Sequence, residues 1–226
     1  MTLLGATVQQ QSRSVYTDGN DGNLRMTRGG QLEINSMAGL IDSWIRQGRV
    51  FETHAATEGG LTTIEANASF DLTEPFFRLT IPSTIVFVPL YVKVATSAVW
   101  TTADLIMMGC SDTDTYSSGG LACNTAMSLF VDNQGTGTPR SSAVTNLYDG
   151  DTVLTEGTVT NPRILDVWSA VTGNLYSPYL WSVLAGNIPP YIHGPASFWM
   201  VEKGATQEVL YSVIWAELDK NELVNS

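Results

Sequence analysis

The sequence predicts an all-β fold, an antiparallel β-sandwich or jelly roll with an extended N-terminal arm and one short helix. Three observations support this fold class. β-Branched and aromatic residues recur in short runs from about Leu61 onward, and Gly, Pro, Asn and Asp bound these runs. Long connections between many short strands are typical of jelly rolls. With 226 residues, 43% of them hydrophobic, the chain is long enough for a packed core.

The first 31 residues predict an extended arm, because they contain QQQ, DGNDGN and RGG and show no sustained apolar period. A short helix follows, with its cap at Asn35 or Ser36 and its end at Gly48. Its apolar face is formed by Met37, Leu40, Ile41, Trp44 and Ile45. We therefore divide the chain into residues 1–50, the arm with its helix, and residues 51–226, a β-sandwich domain.

Nine strands are predicted in this domain. Their ranges are 62–70, 76–81, 85–96, 104–109, 128–131, 163–171, 179–184, 197–203 and 208–218. Only Gly204, Ala205 and Thr206 separate the last two strands, which predicts an antiparallel hairpin. The final strand is apolar on both faces, so we expect it to be central in its sheet. Residues 111–124, 131–146 and 147–161 are interpreted as long polar loops that carry function.

Composition and charge exclude several classes of partner. The chain has 11 Lys and Arg against 22 Asp and Glu, a net charge of −11, so DNA and anionic lipid would repel it. No membrane partner and no sequence-specific nucleic acid are expected. The longest apolar stretch, 85–99, contains Pro89 and Lys93 and falls short of the ~20 residues of a membrane helix. No signal peptide is expected either.

No catalytic, cofactor or metal motif emerges, so we expect a protein that is not an enzyme. His54 and His193 have no second ligand at metal spacing. Acidic pairs within DGNDGN and at Asp112 and Asp114 offer oxygen ligands, but turn chemistry explains them. A sandwich hydrolase stays open as an alternative if either histidine meets a Ser and a carboxylate in a cleft.

Two further features leave alternatives open. Cys110 and Cys123 are either bridged around a short polar ring or two free thiols. Trp100, Tyr116 and Tyr179 are candidate ligand-loop aromatics, and a carbohydrate-binding sandwich that stacks sugars on them is the alternative function.

The N-terminal residues also carry a family resemblance. The run YTDGN at 16–20, then LRMTRGG at 24–30 and RQGRVF at 46–51, resembles the start of small phage-encoded virion structural proteins. The resemblance implies a jelly-roll capsid or decoration protein whose arm reaches neighbouring subunits. Residues 1–50 hold five arginines and no lysine against four acidic residues, on an acidic body, and arginine favours defined multi-donor contacts.

We therefore expect a structural protein located in the virion, assembled in the host cytoplasm, with other virion proteins and copies of itself as partners. A trimer or closed ring is the expected homo-oligomer. The arm residues expected at the subunit interface are Arg13, Tyr16, Leu24, Arg25, Met26, Arg28, Leu32 and Ile34.

Overall fold

A computed structural model of the chain describes residues 37–55, 62–64, 69–96, 104–123, 126–129, 141–159, 161–169 and 178–220, with backbone alone at 151–153. Its elements, in chain order, are α1 Met37–Arg46, β1 Val50–His54, β2 Thr62–Ile64, β3 Phe77–Ile81, β4 Ile85–Thr96, β5 Leu105–Ser111, β6 Tyr116–Ala122, β7 Met127–Ser128, β8 Thr145–Glu156, β9 Arg163–Ser169, β10 Tyr179–Ser182, β11 Ile192–His193, β12 Ala196–Lys203 and β13 Gln207–Asp219.

The strands form two antiparallel sheets packed as a sandwich. The first sheet has the order β10-β4-β13-β1-β7, with β11 on β4 and β2 on β13, and the second has the order β6-β8-β3-β12-β5-β9. The predicted all-β sandwich with one helix is confirmed. No helix in the described ranges is long and apolar enough to span a bilayer.

The strand pairing is that of a rolled antiparallel ribbon. Strand β1 pairs with β13, β3 with β12, β4 with β10 and β5 with β9, so successive pairs fold inward from the two ends of the domain. This nesting is the jelly-roll arrangement. Strands β6, β7 and β8 are inserted between β5 and β9, and β6 and β8 widen the second sheet beyond β3.

Aromatic rings fill the space between the sheets. The ring of Phe87 lies 5.8 Å from that of Trp215 and 5.3 Å from that of Phe198, and Phe77 lies 5.1 Å from Tyr211. These five side chains come from both sheets and are 3% exposed or less. Burial of large rings at such distances is the main apolar contribution to the stability of the sandwich.

The features that predict the helix also explain how it ends and how it packs. Gly48 ends it with a φ of 66°, and its N–H donates to the carbonyl of Ile45 while that of Arg49 donates to Trp44, a Schellman ending. The candidate N-cap residues lie outside the described ranges. The apolar face packs against the core through Met37, Ile41, Trp44 and Ile45.

The predicted hairpin at 197–218 is wrong. Strand β12 lies between β3 and β5 in the second sheet, whereas β13 lies between β4 and β1 in the first. Both sides of each strand are therefore already paired, and the connection at 204–206 crosses from one sheet to the other. The expected central position of β13 is confirmed.

All three segments interpreted as loops contain strand residues. Residues 116–122 form β6, and 145–156 form the 12-residue β8, which pairs with both β3 and β6. The Ser, Thr, Asp and Gly residues of these strands give no apolar pattern, and their partner strands are distant in sequence. The local sequence therefore does not indicate this pairing. Strand β1, at Val50–His54, precedes the first predicted strand. Of the predicted strand at 62–70, Thr62–Ile64 is strand and residues 69–70 are not, while 65–68 lie outside the described ranges.

Candidate assembly surface

Helix α1 lies across the outer face of the first sheet. On that face Val86, Val88, Ala216 and Leu218 are 5% exposed or less, although the core rings occupy the opposite face. The helix leads directly into β1 and also contacts the 3-10 turn at Val183–Ala185, which follows β10. A ten-residue helix is about 15 Å long, and β1 and β10 lie three strand spacings apart, about 14 Å. The N-terminus of α1 therefore lies beside the end of β10.

Exposed apolar side chains concentrate around this same edge. Nine large apolar residues of the described ranges are notably exposed, and six of them lie on β9, on β10 or between β10 and β11. These six are Ile164, Val167, Leu180, Leu184, Ile188 and Tyr191, and we call them the edge cluster. Ile188 exposes 90% of its surface and Leu184 exposes 67%. Ile164 and Val167 lie on the outer face of the second sheet, and Leu180 lies on the outer face of the first, so exposed apolar side chains flank this edge from both sides. Such a concentration at one edge favours an interaction site.

The two strands that carry the cluster end their sheets on the same side of the sandwich. The hydroxyl of Tyr179 on β10 donates to Oδ2 of Asp166 on β9 at 3.0 Å, and the Trp168 ring lies 6.0 Å from that of Tyr179. Burial first, and then the negative charge of Asp166, raise the pKa of Tyr179 well above its ordinary value. The hydrogen bond between Tyr179 and Asp166 therefore joins the two layers of the sandwich at this edge.

The sequence-based prediction did not include this surface, although one segment indicates it. The segment VLAGNIPPYIH places Leu184, Ile188 and Tyr191 among Gly, Asn and Pro, which are turn residues. Apolar side chains on a turn have no core to enter, and that mismatch identifies the segment.

Of the site residues predicted from the sequence, the structure describes Tyr116 and Tyr179. All eight arm residues, Arg13 to Ile34, and Trp100 fall outside the described ranges. Tyr179 is 1% exposed and faces the core, so its ring offers no face to a ligand. Tyr116 stacks on Tyr148 with centroids 4.9 Å apart, and its hydroxyl donates to the carbonyl of Gly119. Tyr116 and Tyr179 are not brought together.

A buried arginine joins the inserted strands to the roll. Arg78 on β3 is fully buried, forms an ion pair with Glu156 on β8, and donates to Oδ1 of Asp114 at 2.8 Å. Partial burial raises the pKa of Asp114, but hydrogen bonds from Arg78 and Thr80 outweigh it and leave that pKa below its ordinary value. Burial raises the pKa of Glu156 despite hydrogen bonding from Thr115 and the charge of Arg78. The cluster fastens an insertion and has the character of a structural contact.

The structure describes both histidines and the acidic pair at Asp112 and Asp114. His54 is half-buried on β1, with Nδ1 3.2 Å from the carbonyl of Ala55, and His193 is exposed on β11. Asp112 lies 3.4 Å from Arg163, and Asp114 is engaged by Arg78. Nowhere in the described ranges do three or more His, Cys, Asp or Glu side chains gather as a metal site.

Both cysteines are free thiols. Burial raises the pKa of Cys110 to about 11 and that of Cys123 to about 12. Cys123 Sγ lies 3.1 Å from the hydroxyl of Tyr211, which in turn donates to Oδ2 of Asp149 at 3.0 Å. Neither thiol has the low pKa of a nucleophile.

A pair of carboxylates occupies one end of the core. Asp104 and Glu202 are at most 2% exposed, and the backbone N–H of Ala205 donates to Oδ1 of Asp104 at 3.0 Å. A Cβ on Gly204 would collide with that same oxygen and lie 2.6 Å from Oε1 of Glu202, so the two carboxylates converge there. Burial first, then the charge of Asp104, raise the pKa of Glu202 to about 8.

Comparisons of the chain with protein-family models, with curated proteins and with solved structures find no match.

Proposed function

We propose that the protein is a structural subunit of a virus particle, of the type that bacteriophages build, and that it assembles with copies of itself. The edge cluster is the observation that carries the proposal. Its exposed apolar side chains lie on a two-layer edge beside the N-terminus of helix α1. Exposed apolar side chains gathered at one edge are typical of a surface that a partner covers.

The fold and the composition are consistent with this role. Jelly rolls form viral capsid domains, although they also form lectins, so the fold alone does not assign a function. Only 15% of the residues are charged, which suits a surface that is largely buried between subunits. The sugar-binding alternative has no comparable support in the described ranges, because Tyr179 is buried and Tyr116 is occupied by Tyr148.

The test is the mass and shape of the purified protein. We expect light scattering to give a closed oligomer or a larger particle, and electron microscopy to show uniform assemblies. A variant that lacks residues 1–35 should keep its β circular dichroism and lose higher assembly. A full-length chain that stays monomeric at all concentrations would contradict the proposal. Assembly unchanged by the deletion would contradict the role of the arm.

A further inference from the structure

The unpaired side of β10 is the most accessible strand edge of the cluster. In the described part of the chain β10 pairs with β4 alone, so it is an end strand of the first sheet. Its sequence, YLWS, contains no charge and no proline, and Leu180 exposes 53% of its surface. Natural edge strands usually carry charges, prolines or bulges that prevent pairing with another chain. An edge without them is suited to accept an added strand.

The arm contains a segment with the matching pattern. Residues 31–35 read QLEIN, in which Leu32 and Ile34 alternate with polar residues. A strand with this alternation has one apolar and one polar face. Laid along β10, it would place its apolar face beside Leu180, with one end toward Leu184 and Ile188, which follow the strand.

Resting on the proposed function, we infer that β10 receives residues 31–35 of a second copy of this chain as an added strand. Helix α1 starts at Met37, beside the end of β10, and the segment 31–35 precedes it by one residue in the sequence. Within one chain, the step from Asn35 to Met37 spans at most about 7 Å. A helix and the sheet on which it packs lie about 10 Å apart. A step of about 7 Å is too short to carry the chain from the helix layer to its own β10, which favours the β10 edge of a neighbouring copy.

Charge substitutions at opposite edges of the sheet test the docking site. Leu180 on β10 and Met127 on β7 each expose 53% of their surface, and β7 ends the other side of the same sheet. We expect Leu180→Asp to raise the concentration needed for half-maximal assembly about tenfold or more, because it removes apolar burial and places a charge in the interface. Met127→Asp should leave that concentration unchanged. Equal effects of the two substitutions would overturn the inference.

Cysteine cross-linking identifies the occupant. Copies with Leu32→Cys are coexpressed with larger, tagged copies carrying Ile188→Cys, and the assembly is oxidised mildly. A disulfide-linked heterodimer is expected, and replacing Ile188→Cys with the exposed Glu74→Cys should abolish it. A chain that carries both Leu32→Cys and Ile188→Cys is tested in parallel. If it forms a disulfide within itself and the two singly substituted copies form no heterodimer, the same chain is the occupant and the inference is overturned. Assembly without either bond overturns the docking site alone, whereas the absence of assembly contradicts the proposed function as well.

Discussion

The carboxylate pair at the end of the core makes the stability of the protein depend on pH through Glu202. Both oxygens of Glu202 are buried without a hydrogen-bond partner, and Asp104 converges on the same point beside Gly204. Two charged carboxylates so close are unfavourable, and a proton on Glu202 relieves the repulsion. We therefore predict that Glu202→Gln, which keeps the shape and removes the charge, stabilises the protein at neutral and alkaline pH.

The magnitude follows from the pKa of Glu202, which burial and Asp104 raise from 4.5 to about 8. Below pH 4.5 the carboxyl is protonated in the folded and unfolded states, and its contribution to stability is fully present. Between pH 4.5 and 8 only the folded state keeps the proton, so the free energy of unfolding falls by about 1.4 kcal/mol per pH unit. The whole interval corresponds to a loss on the order of 5 kcal/mol, and the loss ends above pH 8.

Urea unfolding followed by tryptophan fluorescence at pH 5, 6, 7 and 8 measures this effect. The difference in unfolding free energy between Glu202→Gln and the wild type should grow by about 1.4 kcal/mol per unit over this range. The control is Glu74→Gln, which changes an exposed carboxylate and should give a nearly constant difference. Parallel pH profiles of the wild type and Glu202→Gln would refute the reasoning, because the native state would then hold no extra proton at this site.

Three other substitutions test the packing. Trp215→Ala should lower the unfolding free energy by about 3–5 kcal/mol in urea titrations, since its ring is fully buried, and an unchanged midpoint would mean that β13 is not central. Arg78→Met should lower it by about 3–5 kcal/mol by leaving two carboxylates without their cation, and adding Glu156→Gln should recover part of the loss. Gly120→Ala should reduce the melting temperature more than Gly186→Ala. Both glycines have positive φ, but a Cβ on Gly120 would lie 2.7 Å from Leu154, whereas that on Gly186 has no neighbour within 4 Å.

Local sequence patterns predicted the elements in which the periodicity of apolar and polar side chains matches the surfaces that they face. The 3.6-residue period of α1 and the glycine that ends it are confirmed, and the predicted strand at 85–96 has the bounds of β4. These segments face one or two apolar layers along their whole length, so their composition reveals their structure.

The elements that the sequence concealed are those fixed by distant partners. Strand β8 is rich in polar residues and pairs with β3 and with β6, where Gly119 and Gly120 have positive φ and the register shifts. Bulges of this kind have no periodic signature. The hairpin failed for a related reason, because a three-residue connection fits both a hairpin and a crossing between sheets, and only the full pairing of β12 and β13 decides between them.

The candidate site was hidden for a different reason. The edge cluster is an arrangement of surface residues from β9, β10 and the following turn, and no single segment carries its signature. The inserted strands, by contrast, are fastened to the roll by buried polar contacts: Arg78 holds Glu156, and Asp149 accepts hydrogen bonds from Thr62 and Tyr211. Polar groups that are satisfied inside one subunit fix its own structure. Exposed apolar groups are stabilised further only when a second surface covers them, and for this reason the proposed assembly is placed on the edge cluster and not on the satisfied polar contacts.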